Sequence, residues 1–247
     1  MEIPHDSLQN FTHWWIFSID KAVIWMLIAA FMSCFVILMA GRKRALVPGR
    51  FQSAMEVMLG AIRQKLVIDT MGPEGLPYFP FIASLFFFIF FCNIVGVFPL
   101  SHYGFTATSN VNVTGTLAVI VFLVVLVTAL KKKGAIGFLK SFAPPGVPWW
   151  LLPLIVPVEV ISFFAKHFAL AVRLFANMFA GHIVLFVFTT GAAVLFWNGV
   201  FKTLLSPFPF LGVVGMLMFE IFVATVQAFI FAILASLYIG DSLHEHH

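Results

Sequence analysis

From Val158 to Phe188 the chain reads VEVISFFAKHFALAVRLFANMFAGHIVLFVF, 31 residues without a proline and nearly all apolar. About 20 apolar residues cover the hydrocarbon core of a bilayer, and only a helix satisfies its own backbone there. Within this stretch stand Glu159, Lys166, Arg173, Asn177 and His182. An arginine at the middle of such a helix costs at least ~2.5–3.5 kcal/mol on insertion scales, so it has to meet a counter-charge, a partner or water. Whatever the rest of the chain does, it must accommodate Arg173.

The remaining sequence is of the same kind. Of 247 residues 62% are hydrophobic and 10% charged, against about 25% charged in a soluble domain. The chain therefore reads as one integral membrane bundle, and its net charge of +4 matters for where it falls rather than for nucleic acid. Cys34 and Cys92 both lie in apolar runs without metal-ligand spacing, which points to small core residues, no metal and no disulfide framework. The N-terminus, MEIPHDSLQNFTHWWIF, lacks a basic leader or a transit-peptide composition, so the first apolar run is a resident span. No phosphate-binding glycine loop occurs. Nothing in the motifs calls for a cofactor, and the chain is expected to have no catalytic activity alone.

In order, the pattern predicts a first span over 22–41, with Trp14, Trp15 and Trp25 at its start and Arg42, Lys43 and Arg44 closing it. Over 51–68, Phe51, Met55, Met58, Ile62 and Leu66 repeat at helical spacing among polar residues. That segment is too polar to span and reads as an amphipathic helix on the membrane surface; the alternative is a helix packed in a small extramembrane cap. A second span follows over 79–100, a polar loop, a third span over 113–130 ending at Lys131–Lys133, a long helix over 158–188 and a final helix over 212–239. The histidines of the C-terminal tail read as a solvated end. Ten of the fourteen lysines and arginines fall after the first span, in the surface helix or after the third span. By the positive-inside rule those segments are cytoplasmic, with the N-terminus outside and the C-terminus inside, the parity of five spans.

The last two helices are too long to stand upright. At 1.5 Å per residue they reach roughly 46 Å and 42 Å, against a core of about 30 Å, so a steeply tilted hairpin is expected. It would lie against a large curved partner. Arg173 then falls near mid-membrane, with Glu159 in the inner half and His182 and Glu220 in the outer half. Glu159, Ser162, Lys166, Arg173 and Asn177 share one helical stripe, and Glu220 and Gln227 another. His182 is about half a turn away from Arg173 in angle and looks toward another helix.

Three stretches carry a resemblance. VRLFANMFAGH with EVIS upstream, a last helix reading FEIFVATVQAFIFAIL, and CNIVGVFPLSHYGFTATSNVNVT together resemble subunit a of F-type ATP synthases, in its alphaproteobacterial or mitochondrial-like form. The resemblance implies that Arg173 is the essential arginine facing the rotating c-ring, with Asn177 and Gln227 close to it. His182 and Glu220 match two polar positions of the proton path whose residues are exchanged relative to many bacterial members. It further implies two offset half-channels for H+, an outer one lined by His182, Glu220 and His102 and an inner one near Glu159. The implied partners are the c-ring, the b-type subunits of the peripheral stalk and the lipid bilayer. The implied location is a bacterial inner membrane, or alternatively a mitochondrial one.

Two other classes compete. A proton-coupled secondary transporter would favour helices broken at the midplane, whereas the long helix is unbroken there. A haem-binding respiratory subunit would need histidines paired across helices, and only His167 and His182 lie well inside the spans.

Overall fold

The computed structural model describes residues 21–41, 49–97, 106–143, 147–197 and 207–243. Trp14, Trp15, Arg42–Arg44, His102, Lys202 and the histidines of the tail lie outside the described residues. Among the described residues all regular structure is helical. Helix α1 is Lys21–Gly41; α2 is Arg50–Ala61, continued by a π-helical segment Ile62–Ile68 and a last turn Asp69–Met71. A 3-10 segment Pro73–Tyr78 leads into α3, Phe79–Val97. Helix α4 is Val111–Lys140, α5 is Leu152–Trp197 and α6 is Pro207–Leu243. The stretches Pro73–Val97, Val111–Lys140, Leu152–Gly191 and Leu211–Leu243 are each long and apolar enough to cross a membrane, while the apolar part of α1, Val23–Met39, is shorter. The chain is an all-α integral membrane protein.

Several helix boundaries differ from the sequence reading, two of them for a plain local reason. Helix α5 starts at Leu152 rather than near Pro157: Pro153 falls in the first turn, where its missing N–H is an orphan anyway, and the helix continues through Pro157 at the loss of one backbone bond. It runs on to Trp197, so α5 has 46 residues and α6 has 37. Helix α4 does not stop at Leu130 but carries Lys131–Lys133 a further turn, then breaks at Gly134, whose φ of 69° glycine adopts without a Cβ penalty. The rest continues to Lys140.

The segment over 51–68 is amphipathic as read, but its apolar face points into protein. Met55, Ile62, Leu66 and Val67 are buried in the main core together with α3 and α6 residues such as Phe87, Phe231 and Ile239. The π-helical turn bears on this packing. A wider turn leaves carbonyls without the usual partner, and the Leu66 carbonyl accepts from Thr70 Oγ1 and, across the bundle, from Ser236 Oγ of α6. The helix is thereby pinned to the bundle.

Helix α6 is the centre of the molecule, packing against α3, α4, α5 and the α2 segment. Its pairing with α5 is antiparallel. Phe188 meets Gly212, Gly181 meets Glu220, Asn177 meets Gln227 and His167 meets Tyr238, partners that fall on one helix as they rise on the other. Within its most apolar window α5 is only 17% buried, against 56% for the window ending α3. A helix that apolar and that exposed has its other face turned to lipid or to another protein.

Candidate functional site

The α5–α6 hairpin sets out three polar places along its length. Around the middle, Leu170, Leu174 and Met178 point inward and are essentially fully buried. Arg173 lies off that face and is exposed, flanked by exposed Val172, Ala169 and Ala176. Among the described residues it makes no salt bridge, so they do not supply the counter-charge that an arginine in an apolar helix requires. Beside it, Asn177 Nδ2 donates to Gln227 Oε1 at 3.4 Å, which joins the two helices at the depth of the arginine. Gln227 is 4% exposed and its Nε2 has no partner among the described residues.

Toward the C-terminal end of α5 the packing closes up. Glu220 is 3% exposed, and neither of its carboxyl oxygens has a hydrogen-bond partner among the described residues. It lies against the backbone of α5 at Gly181, where an added Cβ would stand 2.8 Å from Oε1. The next residue, His182, turns its Nε2 to the hydroxyl of Thr106. A hydroxyl both gives and takes a hydrogen bond, so this contact survives either protonation state of the ring. Thr106 gets there because α3 offers no side chain at Gly96: a Cβ on Gly96 would overlap both Thr106 Oγ1 and its Cα. The segment is held further by Thr108 Oγ1, which donates to Asn93 Oδ1 at 2.6 Å, and by Asn93 Nδ2, which reaches the Ala224 carbonyl of α6 at 3.4 Å. Asn93, Thr106 and Thr108 are all fully buried. Their hydroxyl and amide contacts offset the cost of burying them.

Toward the N-terminal end of α5 the helices stand apart around a cavity of about 120 Å³. Its polar lining is Glu159, Lys166 and His167 of α5, Tyr238, Asp241 and Ser242 of α6, and Ser141 just past α4. That is room for several waters, amid more than the two to four polar partners each would need.

Of the residues singled out from the sequence, Glu220 and His182 are brought to one place by Gly181, Asn177 and Gln227 to another, and Glu159 to the cavity. The carboxyl of Glu220 and the ring of His182 are not hydrogen-bonded to each other; Thr106 takes the histidine instead. His102 lies outside the described residues. Sequence reasoning noted Thr106 only within the resembling stretch and gave it no role, passed over Tyr238 and Asp241, and considered His167 only as a haem ligand. The stripe on α6 could have been carried further, since Tyr238 follows Gln227 by eleven residues, three turns at 3.6 per turn. Thr106 carried no local signal, because its role depends on the close approach at Gly96.

An all-helical membrane protein that turns an arginine out of its own fold, between a closed buried carboxyl site and a water-sized cavity, has the parts of an ion-translocating subunit. Residues 23–240 match the family described as ATP synthase A chain. Relatives named ATP synthase subunit a include that of Acidiphilium cryptum, 42% identical over 90% of this chain and 86% of that protein. That of Parvibaculum lavamentivorans is 41% identical over 93% and 86%, and that of Rhodopseudomonas palustris 44% over 88% and 86%. The chain belongs to the ATP synthase A chain family. It is the proton-translocating stator subunit of an F-type ATP synthase, a part of that complex rather than its catalytic subunit, and the transporter and respiratory-subunit readings are not favoured.

Proposed function

We propose that Arg173 faces the carboxylates of the c-ring and separates two half-channels, one on each side of it along the α5–α6 hairpin. The observation that carries this is the placement of Arg173 itself. It is exposed on an apolar helix face, with Glu220, His182 and Thr106 displaced to one side and the Glu159–Asp241 cavity displaced to the other. Two proton-handling places that do not run together are what rotation requires. A proton entering from outside through His182 and Glu220, with His102 nearer the mouth, neutralises a ring carboxylate. That carboxylate can then pass through lipid for nearly a full turn. On reaching Arg173 from the far side it meets a fixed positive charge, which stabilises its ionised form, and its proton leaves through the cavity at Glu159. Arginine stays protonated in proteins. It therefore cannot hand a proton across, and it closes the direct route between the channels. A 100 mV potential supplies about 2.3 kcal/mol per charge, and only a closed route turns that into torque.

The same reading sets the orientation. With the N-terminus outside, Lys131–Lys133 and Lys140 at the end of α4 lie on the cytoplasmic side, next to the cavity end of the hairpin, in accord with the positive-inside rule. Helices of 46 and 37 residues would be roughly 69 Å and 56 Å long, so the hairpin lies steeply tilted in a bacterial inner membrane, along the curved ring. The b-type stalk subunits take another face of the bundle.

Inverted vesicles carrying the complex with Arg173→Ala test the barrier role. ATP-driven proton pumping is expected to vanish. Pumping at the normal level would show that Arg173 neither faces the ring carboxylates nor closes the route between the channels.

A further inference from the structure

The cavity contains a titratable group that the mechanism above leaves unused. His167 is 6% exposed, and its ring is held from several directions. It meets Phe122 of α4 edge-on at 5.1 Å and Phe163 of α5 at 5.3 Å, and it lies 5.1 Å from the Tyr238 ring of α6. Its Nδ1 is 2.9 Å from the Phe163 carbonyl. A carbonyl only accepts, so Nδ1 carries a proton and donates it there. In the neutral ring that leaves Nε2 as a bare lone pair, and Nε2 has no partner among the described residues. A buried polar atom without a partner is costly and calls for an explanation. If the ring served only to fill space, phenylalanine would give the same packing without that cost.

Position supplies the explanation. His167 precedes Arg173 by six residues and follows Glu159 by eight, so along the helix axis it stands ~9 Å from the one and ~12 Å from the other. The charged and titratable groups around it are Glu159 and Lys166 on its own helix and Tyr238 and Asp241 on α6. From α4 and the turn after it the cavity is lined by Val125, Phe138, Ser141 and Phe142, none of which titrates, while Lys133 directs its ammonium to the Asp241 carbonyl at 3.3 Å.

We propose that His167 is a proton-carrying group between Arg173 and the carboxylates at the end of the cavity. A ring carboxyl arriving at Arg173 gives up its proton, and Nε2 takes it through water admitted to the cavity, forming the N–H bond as the O–H bond breaks. The imidazolium holds both protons, one on the Phe163 carbonyl and one facing the cavity. It then releases the second toward Glu159 or Asp241 and returns to the starting tautomer. This rests on the reading of the hairpin given above, which the arginine substitution tests separately.

Proton flux during ATP synthesis in inverted vesicles is the measurement, with the total driving force held constant by a potassium gradient while the pH on the cavity side is varied. For His167→Phe, which keeps the ring packing, and for His167→Gln, flux at equal amounts of assembled complex is expected to fall roughly tenfold, short of the ~10²-fold that a sole positioned proton-transfer group contributes, because Glu159 and Asp241 still line the cavity. The wild-type decline on acidifying the cavity side between about pH 5 and 8, where imidazole changes charge, is expected to flatten in both variants. Flux lost in His167→Ala should return in part when free imidazole is added on the cavity side. Wild-type rate and pH dependence in His167→Phe would overturn the proposal and leave His167 a packing residue. If instead Arg173→Ala still pumps normally, the reading of the hairpin fails whatever the His167 variants do.

Discussion

The two ends of the α5–α6 hairpin solve opposite packing problems with the same pair of helices. At the Glu220 end, glycines bring backbones together: Gly181 lets the carboxyl lie on α5, and Gly96 lets Thr106 reach His182. At the His167 end, rings hold the helices apart. Phe122, Phe138, Phe142 and Phe163 pack with centroids 5.1–5.8 Å from their neighbours, and the gap they leave is the cavity. Small residues permit close helix approach in a membrane, where water gives no push toward association, and bulky edge-to-face rings set a wider spacing. One end therefore holds a single buried carboxyl in a fixed setting, and the other holds several titratable groups around water. Losing one group should be close to all-or-none at the first end and graded at the second.

The largest effect expected is that of Glu220→Gln, which keeps size and polarity and removes titration. No second carboxyl stands at this end among the described residues, so ATP synthesis should fall at least about a hundredfold, the scale of losing a sole proton-transfer group. Unchanged synthesis would make Glu220 a structural residue and break the contrast at its stronger end.

Next in size is Gly96→Ala. Its Cβ would overlap the backbone of Thr106, which cannot step aside as a side chain can, so α3 and the 106–109 segment must separate. Overpacking of this kind costs about 1–3 kcal/mol. It should lower the thermal midpoint of the complex and move His182 off its hydroxyl. Gly181→Ala sharpens the point, because the atom its Cβ meets, Glu220 Oε1 at 2.8 Å, is the end of a flexible side chain. It should cost less stability than Gly96→Ala and still disturb flux. Equal losses of stability in the two variants would mean that the glycines do not act through these contacts.

How much of this was legible in the sequence follows the same division. The all-helical membrane class and Arg173 were readable because both rest on local composition: apolar length, and one charge where none is tolerated. The hairpin followed from helix length, whereas the nearness of Asn177 and Gln227 to Arg173 came only from the family resemblance. The Thr106–His182 contact was hidden, because it depends on Gly96 two elements earlier in the chain and on a close approach that no periodicity encodes. The burial of Met55, Ile62 and Leu66 in the core was hidden for a related reason. An apolar stripe shows that a face is covered, not whether lipid or protein covers it, and here the π-helical turn and Ser236 decide for protein. His167 was visible as a residue but not as a group with a free Nε2, since that follows from the Phe163 carbonyl taking Nδ1.

The smallest effect separates the two ends most sharply. Glu159 lines the cavity together with Asp241, Tyr238 and His167, so a proton released by a ring carboxyl at Arg173 has other carriers when Glu159 is made Gln. Flux should fall only roughly threefold, well short of the hundredfold that a sole proton-transfer group supplies. The loss should deepen when Asp241→Asn is added, since neighbouring groups that substitute for one another are not additive. The comparison that matters is with Glu220→Gln under the same driving force. Should Glu159→Gln prove as severe, the cavity would be a single-file path through one carboxylate, and the aromatic spacers would serve only to hold that carboxylate in line.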